Sequence, residues 1–118
     1  QISLPIMIMS VTEHEFELCH RFNLEPVIYS LYLLDKLINW METSGSLTFP
    51  SIHIKLDTGL HRLGINVDEV PSFIDQMKSH RNHLHIKSIF SHFIGSYSCE
   101  IDSITRDQAH SFIVHSEL

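Results

Sequence analysis

Short apolar runs alternate with amphipathic stretches along the whole chain. Residues 4–10 read LPIMIMS, a nearly continuous apolar run that predicts a strand buried on both faces. Thr12 and Glu15 then make a capping-box pattern ahead of Phe16, Cys19 and Phe22, which recur at roughly helical spacing. Residues 26–30 (PVIYS) predict a second strand. Ser30 is placed to cap the next helix, where Leu34, Leu37, Ile38 and Met41 form one apolar stripe.

A polar turn over 45–50 leads to a third strand at 51–56 (SIHIKL), and a glycine-bearing loop covers 57–64. Asp68 with Pro71 predicts the start of a helix whose apolar face carries Val70, Phe73, Ile74 and Met77. Residues 85–91 (HIKSIFS) predict a fourth strand. Thr105 and Gln108 predict the capping box of a last helix that runs to the end of the chain.

This β-α-β-α-β-α-β-α order, without a hairpin signal, implies parallel strands joined by right-handed crossovers. Two α/β architectures fit: a doubly wound sheet, or about four consecutive units of a (β/α)8 TIM-type barrel. A full barrel takes about 250 residues, and this chain has 118. The expectation is one domain, 1–118, forming part of a barrel. Gln1-Ile2-Ser3 carries neither an initiator Met nor a basic leader, so the start reads as a cut inside a longer chain.

Composition narrows the picture only a little. Hydrophobic residues make up 43% and charged residues 19%, which argues for a folded core and against disorder. No apolar run has the length of a membrane span. Fourteen acidic residues against 8 basic ones give a net charge of -6 and no footprint for nucleic acid. Cys19 and Cys99 lack a CxxC spacing, and reduced thiols in the cytoplasm are the expectation.

Candidate chemistry gathers at strand ends, where parallel α/β folds place their sites. In the third strand Ile52, Ile54 and Leu56 share one face, and His53, Lys55 and Asp57 share the other. An inward lysine needs a partner, since burial of an unpaired ammonium is costly; the alternative is a Lys55 that reaches out to solvent. In the fourth strand Ile86, Ser88, Phe90 and His92 alternate on one face and end in a histidine. His80, His83 and His85 have metal-ligand spacing, but His83 and His85 fall at the strand entrance and read as surface residues. His53 and His61 sit near Lys55 without the acidic cluster a zinc site would need.

The run Lys55-Leu56-Asp57-Thr58-Gly59-Leu60-His61-Arg62-Leu63-Gly64 resembles the KxDTGMxRLG signature of bacterial alanine racemases, and Phe90-Ser91-His92-Phe93 resembles their strand-end motif. LPIMIMS and LEPVIYS (24–30) match the preceding strands. The flavour is closest to racemase domains fused to a UDP-N-acetylmuramoyl-tripeptide:D-alanyl-D-alanine ligase. The resemblance implies a barrel enzyme that interconverts L- and D-alanine with pyridoxal 5'-phosphate, works as a cytoplasmic homodimer and supplies D-alanine for peptidoglycan.

Residue by residue, it implies that Arg62 hydrogen-bonds the phenolic oxygen of the cofactor. Lys55 would be carried as an N-carboxylated carbamate that positions Arg62. The Leu60 main-chain amide would contact the substrate carboxylate, and His92 would hydrogen-bond an arginine facing the pyridine nitrogen. That arginine, the Schiff-base lysine and the tyrosine base all fall outside these 118 residues, so the chain alone is expected to be inactive. Leu60 replaces the usual Met, and Tyr97 stands where an Asp is usual. The competing reading is a non-catalytic, PLP-barrel-like assembly or regulatory module, although barrel proteins of that kind lack the DTGxxRLG run. Two open sheet edges predict edge-to-edge association of the isolated chain.

Overall fold

The computed structural model describes residues 3–95 and 102–116. Tyr97 and Cys99 lie outside the described residues. Five strands, β1 (Met7–Ile8), β2 (Glu25–Ile28), β3 (Ile52–Asp57), β4 (Ile65–Asn66) and β5 (Ile86–Phe90), are joined by α1 (Phe16–Phe22), α2 (Leu31–Ser44) and α3 (Val70–His80), and α4 (Asp102–Ser116) follows. β1 pairs with β2, β2 with β3, and β3 with both β5 and the short β4, every pairing parallel. The main strands lie in chain order, so no switch point of a doubly wound sheet exists among the described residues. Right-handed crossovers between strands in this order put the helices on one face, as in part of a barrel.

The core sits between that face and the helices. Ile52, Ile54 and Leu56 of β3 pack with Phe16, Cys19, Leu34, Leu37, Met41, Phe73 and Met77. Ser30 caps α2 as its position predicts, its Oγ accepting from the Leu33 N–H at 3.2 Å. The Thr12–Glu15 box is formed as well, ahead of a single turn of 3-10 helix that leads into α1.

Several expectations are corrected. The first strand is two residues long and mostly exposed: Leu4 is 76% and Met9 51% exposed. Within its apolar run Ile8 is partly buried against the core, and β2 is the strand it pairs with. Phe22 is exposed at the end of α1 and does not join the core. The helix signalled by Asp68 and Pro71 does start there, with Pro71 in the first turn of α3, but ahead of it Asn66 and Glu69 cap a 3-10 turn over Val67–Glu69, the Asn66 N–H donating to Glu69 Oε2 at 3.0 Å. β4 adds a strand just after the loop at 57–64. Thr105 and Gln108 fall inside helix α4, Asp102–Ser116.

All six residues of β3 are buried, and His53 on its polar face finds partners on both flanking strands. His53 Nε2 donates to Glu25 Oε2 at 3.0 Å, and His53 Nδ1 meets Ser88 Oγ at 2.6 Å. Lys87 Nζ donates to Glu25 Oε1 at 2.7 Å. Adjacent residues of a regular strand face opposite ways, yet Lys87 and Ser88 both reach this cluster. The register explains it: Ile52 opposes Ile86 and His53 opposes Ser88, so Lys87 is the extra residue of a bulge.

Lys87 beside Glu25, with help from His53 and against the effect of burial, holds the Glu25 carboxyl below its ordinary pKa. A carboxylate whose folded pKa is lowered stabilises the fold fully above its unfolded pKa, and this contribution is lost as pH falls through the folded value. Glu25→Gln is therefore expected to cost about 2 kcal/mol near neutral pH. It should also shrink the loss of stability on acidification below the ordinary carboxylate range. Urea unfolding of both proteins across acid pH measures this, and parallel pH profiles would count against the network.

Candidate functional site

The C-terminal end of β3 runs into a turn that the chain builds around one carboxylate. Asp57 Oδ1 accepts from the Gly59 N–H at 2.9 Å and the His61 N–H at 3.0 Å. Burial pushes the Asp57 carboxyl up, but those two amides outweigh it; the pKa lies below the ordinary value, with weaker help from His61 and the Leu60 N–H. The turn bends sharply enough to put His61 at φ 52°, a left-handed conformation. The glycine at its far end has a steric reason. A Cβ on Gly64, at φ +153°, would lie 2.6 Å from the Asp57 nitrogen and 2.8 Å from the Leu56 carbonyl carbon. The returning chain crosses the end of β3 at backbone distance, and only glycine fits there.

The neighbouring strand end is tied to this turn by hydroxyls. Ser91 Oγ donates to the Leu56 carbonyl at 2.9 Å. Its single proton is thereby used, so Thr58 Oγ1 is the donor in the 2.8 Å Thr58–Ser91 bond. Thr58 of the first motif and Ser91 of the second thus meet directly. An open cleft of about 490 Å³ borders the turn, lined by Asp57, Gly59, His61, Asn66 and, from α4, Ser111.

Lys55 is 7% exposed, buried on the same face as His53. It has no hydrogen-bond or ion-pair partner among the described residues. His53 is satisfied by Glu25 and Ser88, so it does not turn towards Lys55 as a ligand. Arg62 is exposed on the outer part of the turn and makes no ion pair among the described residues; Leu60 is half-buried. His92 is exposed, two residues beyond Phe90, the register partner of Lys55. The fold therefore gathers Lys55, Leu60, Arg62 and His92 at one end of the sheet without pairing any two of them.

His80, His83 and His85 occupy the opposite end. His83 Nδ1 donates to the Leu47 carbonyl at 2.6 Å, His80 Nδ1 donates to the Gln76 carbonyl at 2.9 Å, and His85 meets Ser51 Oγ at 3.1 Å. His83 and His85 are exposed at the entrance of β5, as their place in the pattern implies.

Two features escaped the sequence. Glu25 stands at the head of an apolar strand, a signal for a buried partner, but the bulge that delivers Lys87 leaves no mark in composition. Gln108 is 3% exposed and bonds to the loop after β5, its Oε1 accepting the Ile94 N–H at 2.7 Å. A polar residue three positions after a threonine looks like a cap until the helix start is known.

Residues 1–115 match the model of a family described as alanine racemase, N-terminal domain. An alanine racemase of Citrifermentans bemidjiense is 31% identical over 114 residues, covering 94% of this chain and 30% of that protein. An alanine racemase of Clostridium kluyveri is 30% identical over 109 residues, covering 85% of this chain and 27% of that protein. Among solved structures, an alanine racemase of Clostridium difficile superposes with a TM-score of 0.82 at 23% identity, over 98% of this chain and 30% of that one. A histidine racemase of Leuconostoc mesenteroides superposes at 0.75 with 18% identity, over 92% of this chain and 28% of that one. The chain thus spans less than a third of the length of these relatives. With the family model covering nearly its whole length, the chain belongs to the alanine racemase N-terminal domain family.

Proposed function

We propose that this chain is part of a pyridoxal-phosphate-dependent racemase that interconverts L- and D-alanine and supplies D-alanine for peptidoglycan. The observation that carries the reading is the turn 55–64, in which the family's residues each have a local reason: Asp57 caps the turn and Gly64 lets it cross β3. The fold alone is shared with a histidine racemase, so alanine as substrate rests on the closer sequence relatives.

The donor set suits the cofactor. Arg62, exposed at the strand end, supplies a guanidinium for the phenolic oxygen, and His92 lies at the next strand end to orient a further cation. When bound, pyridoxal phosphate supplies an electron sink for the carbanion formed by loss of the α-proton. The Leu60 main-chain N–H is offered to the substrate carboxylate. Lys55, buried without an ion-pair partner among the described residues, is the group proposed to change its chemistry. Addition of its neutral amine to carbon dioxide, with release of one proton, makes a carbamate anion. That replaces a buried unpaired cation by an acceptor for Arg62.

The whole protein is further proposed to be a cytoplasmic homodimer. Among the described residues no helix is long and apolar enough to cross a membrane. The flavour of LEPVIYS, HIKLDTGLHRLG and IFSHFIGS supports a parent in which the barrel is fused to a UDP-N-acetylmuramoyl-tripeptide:D-alanyl-D-alanine ligase.

The full-length protein is expected to racemise alanine and to show a carboxylated Lys55 by mass spectrometry of the native enzyme. Lys55→Ala in that protein should lower kcat/KM at least tenfold, with partial recovery on adding small carboxylates. The isolated 118-residue chain should retain no pyridoxal phosphate after dialysis and racemise nothing, because a proton-transfer group must lie within hydrogen-bond reach of substrate. Unchanged kinetics in Lys55→Ala would remove that residue from the site, and turnover by the isolated chain would overturn the assignment of both bases elsewhere.

Association of the isolated chain follows from its surface. Strand β1 is an open edge flanked by exposed Leu4, Met7 and Met9, and such edges pair with other chains. Light scattering over a concentration series should show the mass rising above that of a monomer. A monomer at every concentration would overturn this.

A further inference from the structure

The loop after β5 is tied to α4 by side chains. Gln108 Oε1 accepts from the Ile94 N–H at 2.7 Å, while Nε2 lies 3.5 Å from the His92 carbonyl. The carboxamide of Gln108 thus faces two backbone groups of the same short loop segment. Thr105, one helical turn earlier, donates its Oγ1 to the Ile94 carbonyl at 2.9 Å. The other motif comes close as well. A Cβ on Gly59 would lie 3.7 Å from both Cγ and Nε2 of Gln108, so the turn built on Asp57 passes about one methyl group away from the same side chain. Gln108 is the one polar residue of α4 that is buried among those described.

We infer that Gln108 is a positioning residue that couples the two strand-end loops, holding His92 at a set distance from the turn that carries Leu60 and Arg62. Its effect on racemisation passes through those residues and rests on the racemase reading; the coupling of the loops does not. Removing the carboxamide leaves the Ile94 N–H without its acceptor, which destabilises the closed loop. It also changes the side chain that flanks the turn at Gly59. The bond to Ile94 is short and well within range, whereas the contact to His92 is long, so the amide of Ile94 is the point at which the clamp acts.

The test uses the full-length protein with Gln108→Met, which keeps an unbranched side chain of similar length and removes both polar functions, and with Gln108→Asn, which keeps the carboxamide one methylene short. Amide exchange by mass spectrometry should quicken about tenfold over residues 92–95 and also over 57–62 in Gln108→Met, with Gln108→Asn changed in the same two segments. The kcat/KM for alanine should fall about tenfold, mainly through KM, while the absorbance of the bound cofactor is retained. A lowered melting temperature with unaltered exchange over 57–62 would reduce Gln108 to a packing residue and overturn the inference. Should Gln108→Met not fold, exchange in Gln108→Asn decides by the same criterion. If the unmodified protein does not racemise, the racemase reading fails, and exchange over 57–62 still decides the coupling.

Discussion

β3 has water on neither face, and the rest of the structure is arranged around that constraint. Its apolar side, Ile52, Ile54 and Leu56, packs against the helices. Its other side carries an imidazole, an ammonium and a carboxylate, each of which loses hydration when the sheet forms. The fold answers the three differently. His53 lies between Glu25 and Ser88 on the flanking strands. Asp57 is satisfied by the amides of the turn that begins at it. Lys55, between them, has no partner among the described residues. The two satisfied groups hold the barrel wall and the turn in shape, and the third is left without a hydrogen-bond or ion-pair partner among the described residues.

The strand ends are joined by side chains where backbone pairing runs out. Thr58, Ser91 and the Leu56 carbonyl make a chain of two bonds across the tops of β3 and β5. Gln108 and Thr105 do the same between α4 and the loop after β5. Such bonds are individually worth about 1 kcal/mol, so their value lies less in stability than in fixing where backbone amides and exposed side chains stand. That is the property a site assembled from loops needs, since small displacements of a binding group cost much of its effect.

Much of this was readable from the residues in order. Period and punctuation determined the strands at β2, β3 and β5, the helices between them, the cap at Ser30 and the parallel arrangement, because each rests on interactions within a few residues. The KLDTGLHRLG run was legible too, since Asp57 and Gly64 act within their own ten-residue turn. What the residues could not reveal was decided across the sheet. An apolar run at 4–10 looks the same whether or not a helix covers it, so its exposure appeared only with its neighbours in place. The bulge at Lys87 depends on register with β3. Thr105 and Gln108 have the pattern of a cap, and only the tertiary structure shows them inside α4 and turned towards the loop at 92–95. Local chemistry therefore determined the elements and the shape of the turn, while the pairing of Glu25 with His53 and Lys87, the isolation of Lys55 and the clamp at Gln108 required tertiary structure, because each joins residues from different strands and helices whose distance no sequence interval encodes.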